Sequence, residues 1–315
     1  MLTFRALPVL LAMILLGACG KDPVPQTESQ PAASTAQAPA KTGNVHEFKI
    51  GELTAFALKD GTFLFPNDTK VFGVGRSSED VAKVLAAAGV PTDELSLSIQ
   101  PLLVKVGKQT LLFDTGAGSG AGETAGRLVT SMREAGIEPS DVTDIFISHA
   151  HGDHIGGLVD ASGALVFANA TVHISSPEWD AVKAAAESDA NRAAQVQAWG
   201  SKVKAFAPGL EILPNVVKGV EIKGHTPGHS GYLITSGAES LLYIGDSAHH
   251  YVVSVQEPEW TIQFDRDAST AQASRKEMIS TNAEAGQRIY AVHFPFPGLG
   301  RFKSEGRRFV WDPES

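Results

Sequence analysis

Cysteine is almost absent from this sequence, because Cys19 is the only one among its 315 residues. The chain therefore has no internal disulfide, and a metal site beyond residue 19 has no thiolate ligand. Basic residues are outnumbered, with 26 Lys and Arg against 35 Asp and Glu and a net charge of −9. No basic run suited to tracking phosphates is present, so the composition argues against nucleic acid as a partner.

A long apolar run occupies residues 6–18 and follows a single charged residue, Arg5. Its thirteen residues are too few to cross a bilayer as a helix and instead suit the core of a signal peptide. The run ends in Leu-Leu-Gly-Ala-Cys, which resembles a bacterial lipoprotein signal in which Cys19 is acylated and becomes the new N-terminus. The alternative is an ordinary signal peptide with an incidental cysteine.

Residues 20–44 are rich in Pro, Ala, Ser, Thr and Gln and show no apolar periodicity, which is typical of a flexible tether. The sequence therefore predicts a lipoprotein signal peptide at residues 1–18, a lipidated Cys19 with a linker at 19–44, and one folded domain at 45–315. Gly20, rather than aspartate, follows Cys19. By the same resemblance, this favours lipid anchoring in the bacterial cell envelope, at the outer membrane facing the periplasm.

Strand-like and helix-like segments are interspersed after residue 45, and several strands are continuously apolar, as in sheets covered by helices. Two strand-like runs flank Asp60 and Gly61, which predicts a hairpin there. Helical patterns end at Gly89 and at Gly286, where glycine is the residue expected after a last turn. The pattern as a whole predicts an α/β fold.

Residues 147–157 read Ile-Ser-His-Ala-His-Gly-Asp-His-Ile-Gly-Gly, and a chain with ten histidines places three of them here. His149 and His151 alternate, so that both imidazoles can point the same way, and Asp153 and His154 follow where the chain turns. Clustered nitrogen and oxygen ligands are what a borderline cation such as zinc requires. The alternative is a solvated polar loop with incidental histidines.

One loop cannot complete two coordination shells, so further ligands must come from elsewhere in the chain. Other histidines and one aspartate stand where apolar strands stop, which is where α/β folds place their chemistry. These residues are His225, His229, Asp246, His249, His250 and His293. His46 and His173 lie outside any motif and are interpreted as ordinary surface or core residues.

The motifs Phe-Asp-Thr-Gly, His-Ala-His-Gly-Asp-His, Gly-His-Thr-Pro-Gly-His, Gly-Asp-Ser-Ala-His-His and Val-His-Phe-Pro-Phe-Pro-Gly follow one another along the chain. In this order they resemble the five blocks of the metallo-β-lactamase superfamily, over nearly everything from Gly51 to Trp311. Residues 261–279 and 292–310 resemble the C-terminal stretches of methyl parathion hydrolase, a branch that neighbours the acyl-homoserine lactonases. The resemblance implies a four-layer αββα sandwich, with a binuclear metal site at one edge of the sheets.

The resemblance also implies the site residues. One ion takes His149, His151 and His225, the second takes Asp153, His154 and His293, and Asp246 bridges both. The family pattern, in which the first histidine of Gly-His-Thr-Pro-Gly-His is the ligand, selects His225 and leaves His229 to order the loop behind the ligands. Asp114 matches a position that orients the histidine loop. Two divalent ions are expected, with zinc favoured over manganese, iron or cobalt.

Such a site implies hydrolysis. Two adjacent cations hold a bridging water, lower its pKa to about 7 and supply hydroxide, while one of them polarises the substrate oxygen. We assign catalytic roles to Asp153, Asp246 and His249. His249 stands three residues after Asp246, where the lactonases carry a tyrosine that contacts substrate, so it is expected to bind substrate or protonate the leaving group. The alternative for His249 is a packing residue beside the site.

Departures from the family narrow the substrate to a lactone, a carboxylic ester or a phosphotriester. The missing thiolate and the presence of Asp246 argue against a true β-lactamase, and the chain has no room for the added domains of the nucleases or of glyoxalase II. Residues 117–123 contain no aromatic side chain, whereas methyl parathion hydrolase has one there, so organophosphates are the alternative rather than the first choice. Other aromatic residues are candidates for a pocket, with packing as the alternative: Trp179, Trp260, Phe294 and Phe296.

The predicted function is therefore a binuclear metal-dependent hydrolase of small lactones or esters. Two further classes stay open: a non-catalytic metal-binding lipoprotein, and a diiron-type redox protein, since imidazole and carboxylate accept iron as well as zinc. The expected partners are a small-molecule substrate and a membrane reached through Cys19. A homodimer is an expectation by analogy with the branch alone.

Overall fold

The computed structural model describes residues 43–314. The predicted signal peptide, Cys19 and nearly all of the predicted linker lie outside the described residues. The strands are β1 (Val45–Ile50), β2 (Leu53–Leu58), β3 (Gly61–Pro66), β4 (Phe72–Val74), β5 (Glu94–Ile99), β6 (Leu102–Val106), β7 (Gln109–Phe113), β8 (Asp144–Phe146), β9 (Thr171–Ser175), β10 (Val203–Phe206), β11 (Glu211–Leu213), β12 (Val217–Glu221), β13 (Ser230–Ser236), β14 (Glu239–Tyr243), β15 (Thr261–Ile262), β16 (Ile289–Tyr290), β17 (Leu299–Glu305) and β18 (Arg308–Pro313). The helices are α1 (Ser78–Ala87), α2 (Leu128–Glu134), α3 (Gly152–Ile155), α4 (Ser176–Ala186), α5 (Ala190–Trp199), α6 (Val253–Gln256) and α7 (Ala268–Ala285).

Two seven-stranded sheets form the centre of the molecule. The first has the order β1-β2-β6-β7-β8-β9-β10, and the second has the order β11-β12-β13-β14-β16-β17-β18. Strands β7, β8, β9 and β10 run parallel to one another in the first sheet. In the second sheet, β14 runs parallel to β16. Because β12 and β14 each pair antiparallel with β13, β12 also runs in the same direction as β14. The carboxyl ends of these parallel strands therefore lie at one edge of each sheet.

Successive side chains of the central strands enter different hydrophobic cores. In β7, Leu111 and Phe113 pack in the core between the sheets, whereas Leu112 packs with Met132 of α2 on the outer face. In β14, Leu241 and Tyr243 face the same inner core. Leu242 belongs instead to a third core, together with Met278 and Ile279 of α7. Because side chains of a strand alternate between faces, both sheets are covered on both sides, and the predicted αββα sandwich is confirmed.

Helix ends follow the local signals in the sequence. The side chain of Ser77 accepts a hydrogen bond from the backbone N–H of Asp80 and so caps α1. Helix α7 ends before Gly286, which has a φ of 61° and adopts the left-handed conformation that glycine permits. Among residues 43–314, no helix is long and apolar enough to cross a membrane.

A fourth cluster of apolar side chains lies beside the sandwich, at the edge where the parallel strands end. Strands β3 and β5 pair with each other in a separate two-stranded sheet, and β4 pairs with β15 in another. Their buried residues pack with α1 and α6, through side chains such as Val81, Leu97 and Val253. This cluster forms one wall of the site described below.

The predicted hairpin at Asp60 and Gly61 is wrong. Strand β2 pairs with β1 and β6, whereas β3 crosses to pair with β5. Asp60 is fully buried, and its carboxylate accepts hydrogen bonds from the backbone N–H groups of Ala117, Gly126 and Leu128, at 2.9–3.1 Å. The residue that resembles a turn signal therefore holds a distant glycine-rich loop in place.

We expect Asp60→Ala to lower the free energy of unfolding by about 2–4 kcal/mol, because three buried N–H groups would lose their acceptor. Urea unfolding followed by far-ultraviolet circular dichroism measures this change. Asp68→Ala is the matched control, since that carboxylate pairs with Lys70 at the surface and its loss should leave the midpoint unchanged. Equal midpoints for Asp60→Ala and the unaltered chain would contradict the role given to Asp60.

Candidate metal centre

The predicted ligands converge because each follows the carboxyl end of a strand at the shared edge of the sheets. In the first sheet, the loop with His149, His151, Asp153 and His154 follows β8. In the second sheet, the remaining predicted ligands follow three parallel strands. His225 comes after β12, Asp246 after β14, and His293 after β16.

Three imidazoles form the first group. His149 Nε2 lies 2.9 Å from His151 Nδ1 and 3.2 Å from His225 Nε2, and His225 Nε2 lies 3.1 Å from His151 Nδ1. Two nitrogens that share a tetrahedral zinc ion at 2.0–2.1 Å are separated by roughly 3.3 Å. The three nitrogens therefore have the spacing of ligands around one ion.

Asp246 joins this group to a second one. Its Oδ2 lies 3.4 Å from His225 Nε2 and 3.7 Å from His149 Nε2. Its Oδ1 lies 3.1 Å from His154 Nε2 and 3.0 Å from His293 Nε2. The same two nitrogens lie 3.6 and 3.5 Å from Asp153 Oδ2. One carboxylate thus faces two sets of donors, one with each oxygen.

The opposite ring nitrogen of each buried ligand histidine has a partner of its own. His154 Nδ1 donates to Asp114 at 2.7 Å, His225 Nδ1 donates to Asp265 at 3.0 Å, and His293 Nδ1 donates to the carbonyl of Ser98 at 2.8 Å. His149 Nδ1 lies 3.0 Å from Ser148 Oγ, which donates its own hydrogen to Asp114. These contacts fix each ring and leave its Nε2 without a hydrogen in the neutral form.

The orphaned atoms of the site match the donors that a cation needs. His154 Nε2 and Asp246 Oδ1 are buried and have no hydrogen-bond partner among the described residues. With Nδ1 donating, neutral His149 and His225 present lone pairs to each other 3.2 Å apart. Facing lone pairs repel, and a cation between them would convert the repulsion into coordination. The residues present therefore fit two metal ions, one in each group.

The electrostatics around Asp246 and His154 also favour positive charge, whereas burial lowers the pKa of His149 and His151. Burial alone would raise the pKa of Asp246, but the neighbouring histidines, His154 and His293 first among them, lower it well below the usual value. Burial alone would lower the pKa of His154, yet the carboxylates of Asp246, Asp153 and Asp114 raise it well above the usual value. Asp246 is thus held as a carboxylate in a buried place that attracts cations.

Asp114 and His229 support the ligands from behind. Asp114 has a φ of 59°, an unusual conformation for a residue other than glycine. Its carboxylate accepts from Ser148 N, Ser148 Oγ, Tyr243 and His154 at 2.7 Å each. His229 Nε2 accepts the backbone N–H of Asp246 at 2.9 Å, so the second histidine of its motif orders a ligand loop rather than joining the groups.

Three supporting residues were missed by the sequence reasoning. Asp265 holds His225 and in turn accepts from Arg275, whose guanidinium is buried and also donates to the carbonyl of Ser247 beside Asp246. Glu178 is buried and accepts from Ala150 N, between two ligand histidines, as well as from Gly228 N and Thr226 Oγ1. These three charged residues stand in no sequence motif that would have singled them out. Asp265 and Arg275 do fall in the stretch 261–279, which the branch resemblance covered.

His249 lies beside Asp246, and its predicted catalytic role stays a prediction. Its Nε2 is 3.2 Å from Asp246 Oδ2, and its ring stacks against His293 at 5.9 Å. Both ring nitrogens are buried without a hydrogen-bond partner in the described chain. His250 instead accepts from the backbone N–H groups of Val252 and Val253, which is a structural role.

An apolar cavity of about 540 Å³ opens above the two groups. Its lining includes Phe63, Phe65, Leu97 and Phe264, together with ligand side chains, His249 and Gln263. None of the four aromatic residues that the sequence suggested for a pocket lines this cavity. Trp179 packs on Trp199, Trp260 packs beside Arg76, Phe294 packs on Trp311, and Phe296 packs against the inner core. All four therefore pack against other side chains, which is the alternative that the sequence left open for them.

Comparisons with known proteins place this site in a family. A family model described as the metallo-beta-lactamase superfamily matches residues 98–284. The solved structure of AidC, described as a dizinc quorum-quenching lactonase, is 34% identical with a TM-score of 0.80. The match covers 86% of this chain and 98% of that one.

Two curated relatives match over shorter lengths. An N-acyl homoserine lactonase of Bacillus cereus is 26% identical over 49% of this chain. A ribonuclease Z of Salinibacter ruber is 44% identical over 25% of this chain. The matches span 57% of the lactonase and 21% of the ribonuclease, so neither decides the activity of the whole protein.

Membership of the methyl parathion hydrolase branch is not among these findings and stays a prediction. The family itself is clear, since the matched region exceeds half of the 315 residues and contains four of the five predicted motif blocks. The chain belongs to the metallo-beta-lactamase superfamily.

Proposed function

We propose that this protein is a two-metal hydrolase of lactones or carboxylic esters that carry an apolar group. The observation that carries the proposal is the position of Asp246, whose two oxygens face two separate groups of ligands beneath an apolar cavity. The dizinc lactonase AidC supports the same chemistry, because this chain covers nearly all of it at 34% identity.

The residues that would hold the ions divide between the groups. His149, His151 and His225 would hold one ion, Asp153, His154 and His293 the other, and Asp246, which faces both groups, would contribute to each. When bound, two divalent cations supply an acidified water and a Lewis acid for the substrate oxygen. Zinc is the metal that we propose, because imidazole and carboxylate ligands suit it and AidC is described as a dizinc enzyme.

His249 is proposed to contact the substrate. Its ring lies at the cavity beside Asp246, and Phe264 packs 5.8 Å from it, so its orientation is restricted. Its unpartnered nitrogens can donate to or accept from a polar group of the substrate. An imidazole in this place can pass a proton to a leaving alkoxide, which is the step that ring opening of a lactone requires.

The cavity supports a substrate with an apolar substituent. Phe63, Phe65, Leu97 and Phe264 would remove such a group from water, and the cavity volume of about 540 Å³ lies in the range of small-molecule sites. The structure of AidC is described with the product N-hexanoyl-L-homoserine, which carries an acyl chain of this kind. Acyl-homoserine lactones are therefore the first substrates to test.

A phosphotriester with an aryl leaving group is the second candidate. The absence of an aromatic residue at 117–123 argues against it, but Phe63, Phe65 and Phe264 supply aromatic walls from other elements. The same assay panel separates the two candidates.

A homodimer stays a proposal, by analogy with the methyl parathion hydrolase and lactonase branch.

We expect the zinc-loaded domain from Val45 onward to hydrolyse acyl-homoserine lactones, simple δ-lactones or aryl esters faster than methyl parathion or a cephalosporin. Asp246→Ala should lower kcat/KM by at least about 100-fold and reduce zinc below two ions per chain, because it removes a donor from both groups. Asp68→Ala, at the surface, is the control. Two bound ions without turnover of any panel member would refute the proposed function.

We expect Glu178→Gln to weaken zinc binding by about 10- to 100-fold, because the amide places an N–H₂ group against donors that now meet a carboxylate oxygen. Competition with a chelator measures the affinity, and melting temperatures are compared with and without zinc. Glu187→Gln, exposed at the end of the same helix, is the matched control. An unchanged zinc affinity with an equal loss of melting temperature in both forms would reduce Glu178 to a purely structural residue.

Anchoring through Cys19 is proposed from the sequence motif, and the described residues do not include it. We expect the full chain, produced in a bacterium with two membranes, to fractionate with the outer membrane, and Cys19→Ser to release it or leave its signal uncleaved. Mass spectrometry of the N-terminal peptide measures acylation directly. An unmodified cysteine in the mature chain would support the ordinary signal peptide instead.

A further inference from the structure

A second, smaller cavity adjoins the metal ligands His151 and His225 and shares only His151 with the apolar cavity. Its volume is about 190 Å³, and it lies between helices α4 and α5 and the loop that carries His225. Two arginines, Arg192 and Arg266, line it together with Ala150, Glu178 and the rings of His151 and His225. The proposed hydrolysis does not use this cavity.

Neither arginine has a carboxylate partner among residues 43–314. Arg192 donates through Nη1 to the carbonyl of Ala150 at 3.2 Å and to Gln195 at 2.9 Å, and its remaining donors have no recorded acceptor. The guanidinium of Arg266 makes neither a hydrogen bond nor an ion pair within that range. Its position is nevertheless set by the backbone, since Arg266 N donates to the carbonyl of His225 at 3.1 Å.

The acid that lines this cavity is already occupied. Glu178 directs one oxygen to Ala150 N and the other to Thr226 Oγ1 and Gly228 N, at 2.7–2.9 Å. Its charge is spread over three donors in the loops and does not pair with either guanidinium. In a chain of net charge −9, two arginines without a carboxylate partner in one small cavity make a local positive site in a negative surrounding.

The two cavities meet at one residue. His151 lines both of them and is half-buried, so its outer edge separates the apolar cavity from the cationic one. A substrate whose reacting carbonyl lies at the metal ligands would have to extend a short substituent past His151 to reach the second cavity. The group that would meet Arg192 and Arg266 there has to be small, to fit the volume, and negatively charged.

We propose that the second cavity is a subsite for a carboxylate carried by the substrate. Guanidinium groups bind carboxylates through paired, charge-assisted hydrogen bonds, which a lone ammonium does not reproduce. The inference rests on the proposed function and deepens it: the preferred substrates are lactones or esters with a free acid group close to the reacting bond, in addition to an apolar group.

The test compares two γ-butyrolactones that differ at one ring substituent, a free carboxylate in one and a primary carboxamide in the other. The zinc-loaded enzyme should hydrolyse the carboxylate with a kcat/KM at least about tenfold above that of the amide. Arg266→Gln should reduce this ratio by about tenfold, and 0.5 M NaCl should reduce it in the unaltered enzyme, because exposed charges are screened. Arg307→Gln, which removes an exposed arginine in the turn between β17 and β18, should leave the ratio unchanged.

A ratio that is the same in Arg266→Gln and in the unaltered enzyme would overturn the subsite. Inhibition by the hydrolysed amide that depends on Arg266, without preference between the two lactones, would assign the cavity to released product and overturn it as well. If neither lactone is hydrolysed, the proposed function fails separately. Calorimetric binding of the hydrolysed carboxylate lactone to the zinc-loaded protein then decides the subsite, with weakened binding in Arg266→Gln expected and equal binding contradicting it.

Discussion

The buried carboxylate of Asp246 is the constraint on which the rest of this structure depends. Only 3% of the residue is exposed, yet the pKa of its carboxyl is held well below the usual value by the histidines around it. An ionised group so deep in a protein is costly unless positive charge or hydrogen bonds compensate it. Asp246 Oδ1 has no hydrogen-bond partner in the described chain, so the compensation has to come from charge.

The fold brings together, from two sheets at once, the ligands that would hold such a charge. The loop after β8 belongs to the first sheet, while His225, Asp246 and His293 follow strands of the second, so each ligand group draws on both. Hydrogen bonds across the junction keep the halves in register: Glu178 links Ala150 to Gly228, and Ser230 N donates to the carbonyl of Ser148. A displacement of one sheet against the other would separate the ligands, which explains why the supporting groups are buried.

The ligands could be predicted from the sequence because they stand in short motifs, and the sandwich could be predicted because the motifs identify a family. The supporting residues could not. Asp265 and His225 are 40 residues apart, and Glu178 and Gly228 are 50, so no local spacing relates them. The role of Asp60 could not be predicted for the same reason, since its partners at residues 117–128 are distant and Asp-Gly is also a common turn. The aromatic cavity wall combines β3 with a loop near residue 264, which periodicity alone cannot join.

Under the proposed function, the two cavities that share His151 would make different contributions to substrate recognition. The apolar one would remove a substituent from water, and that exclusion of water would lower the effective dielectric beside Asp246. The cationic one is small, and Arg266 is exposed, so screening limits the affinity it can add. Its proposed contribution is to orientation: a substrate with an apolar group and an acid group would fill both cavities in one preferred orientation, with the same face of its carbonyl toward the ligands. Orientation of this kind acts on the rate of reaction more than on the strength of binding.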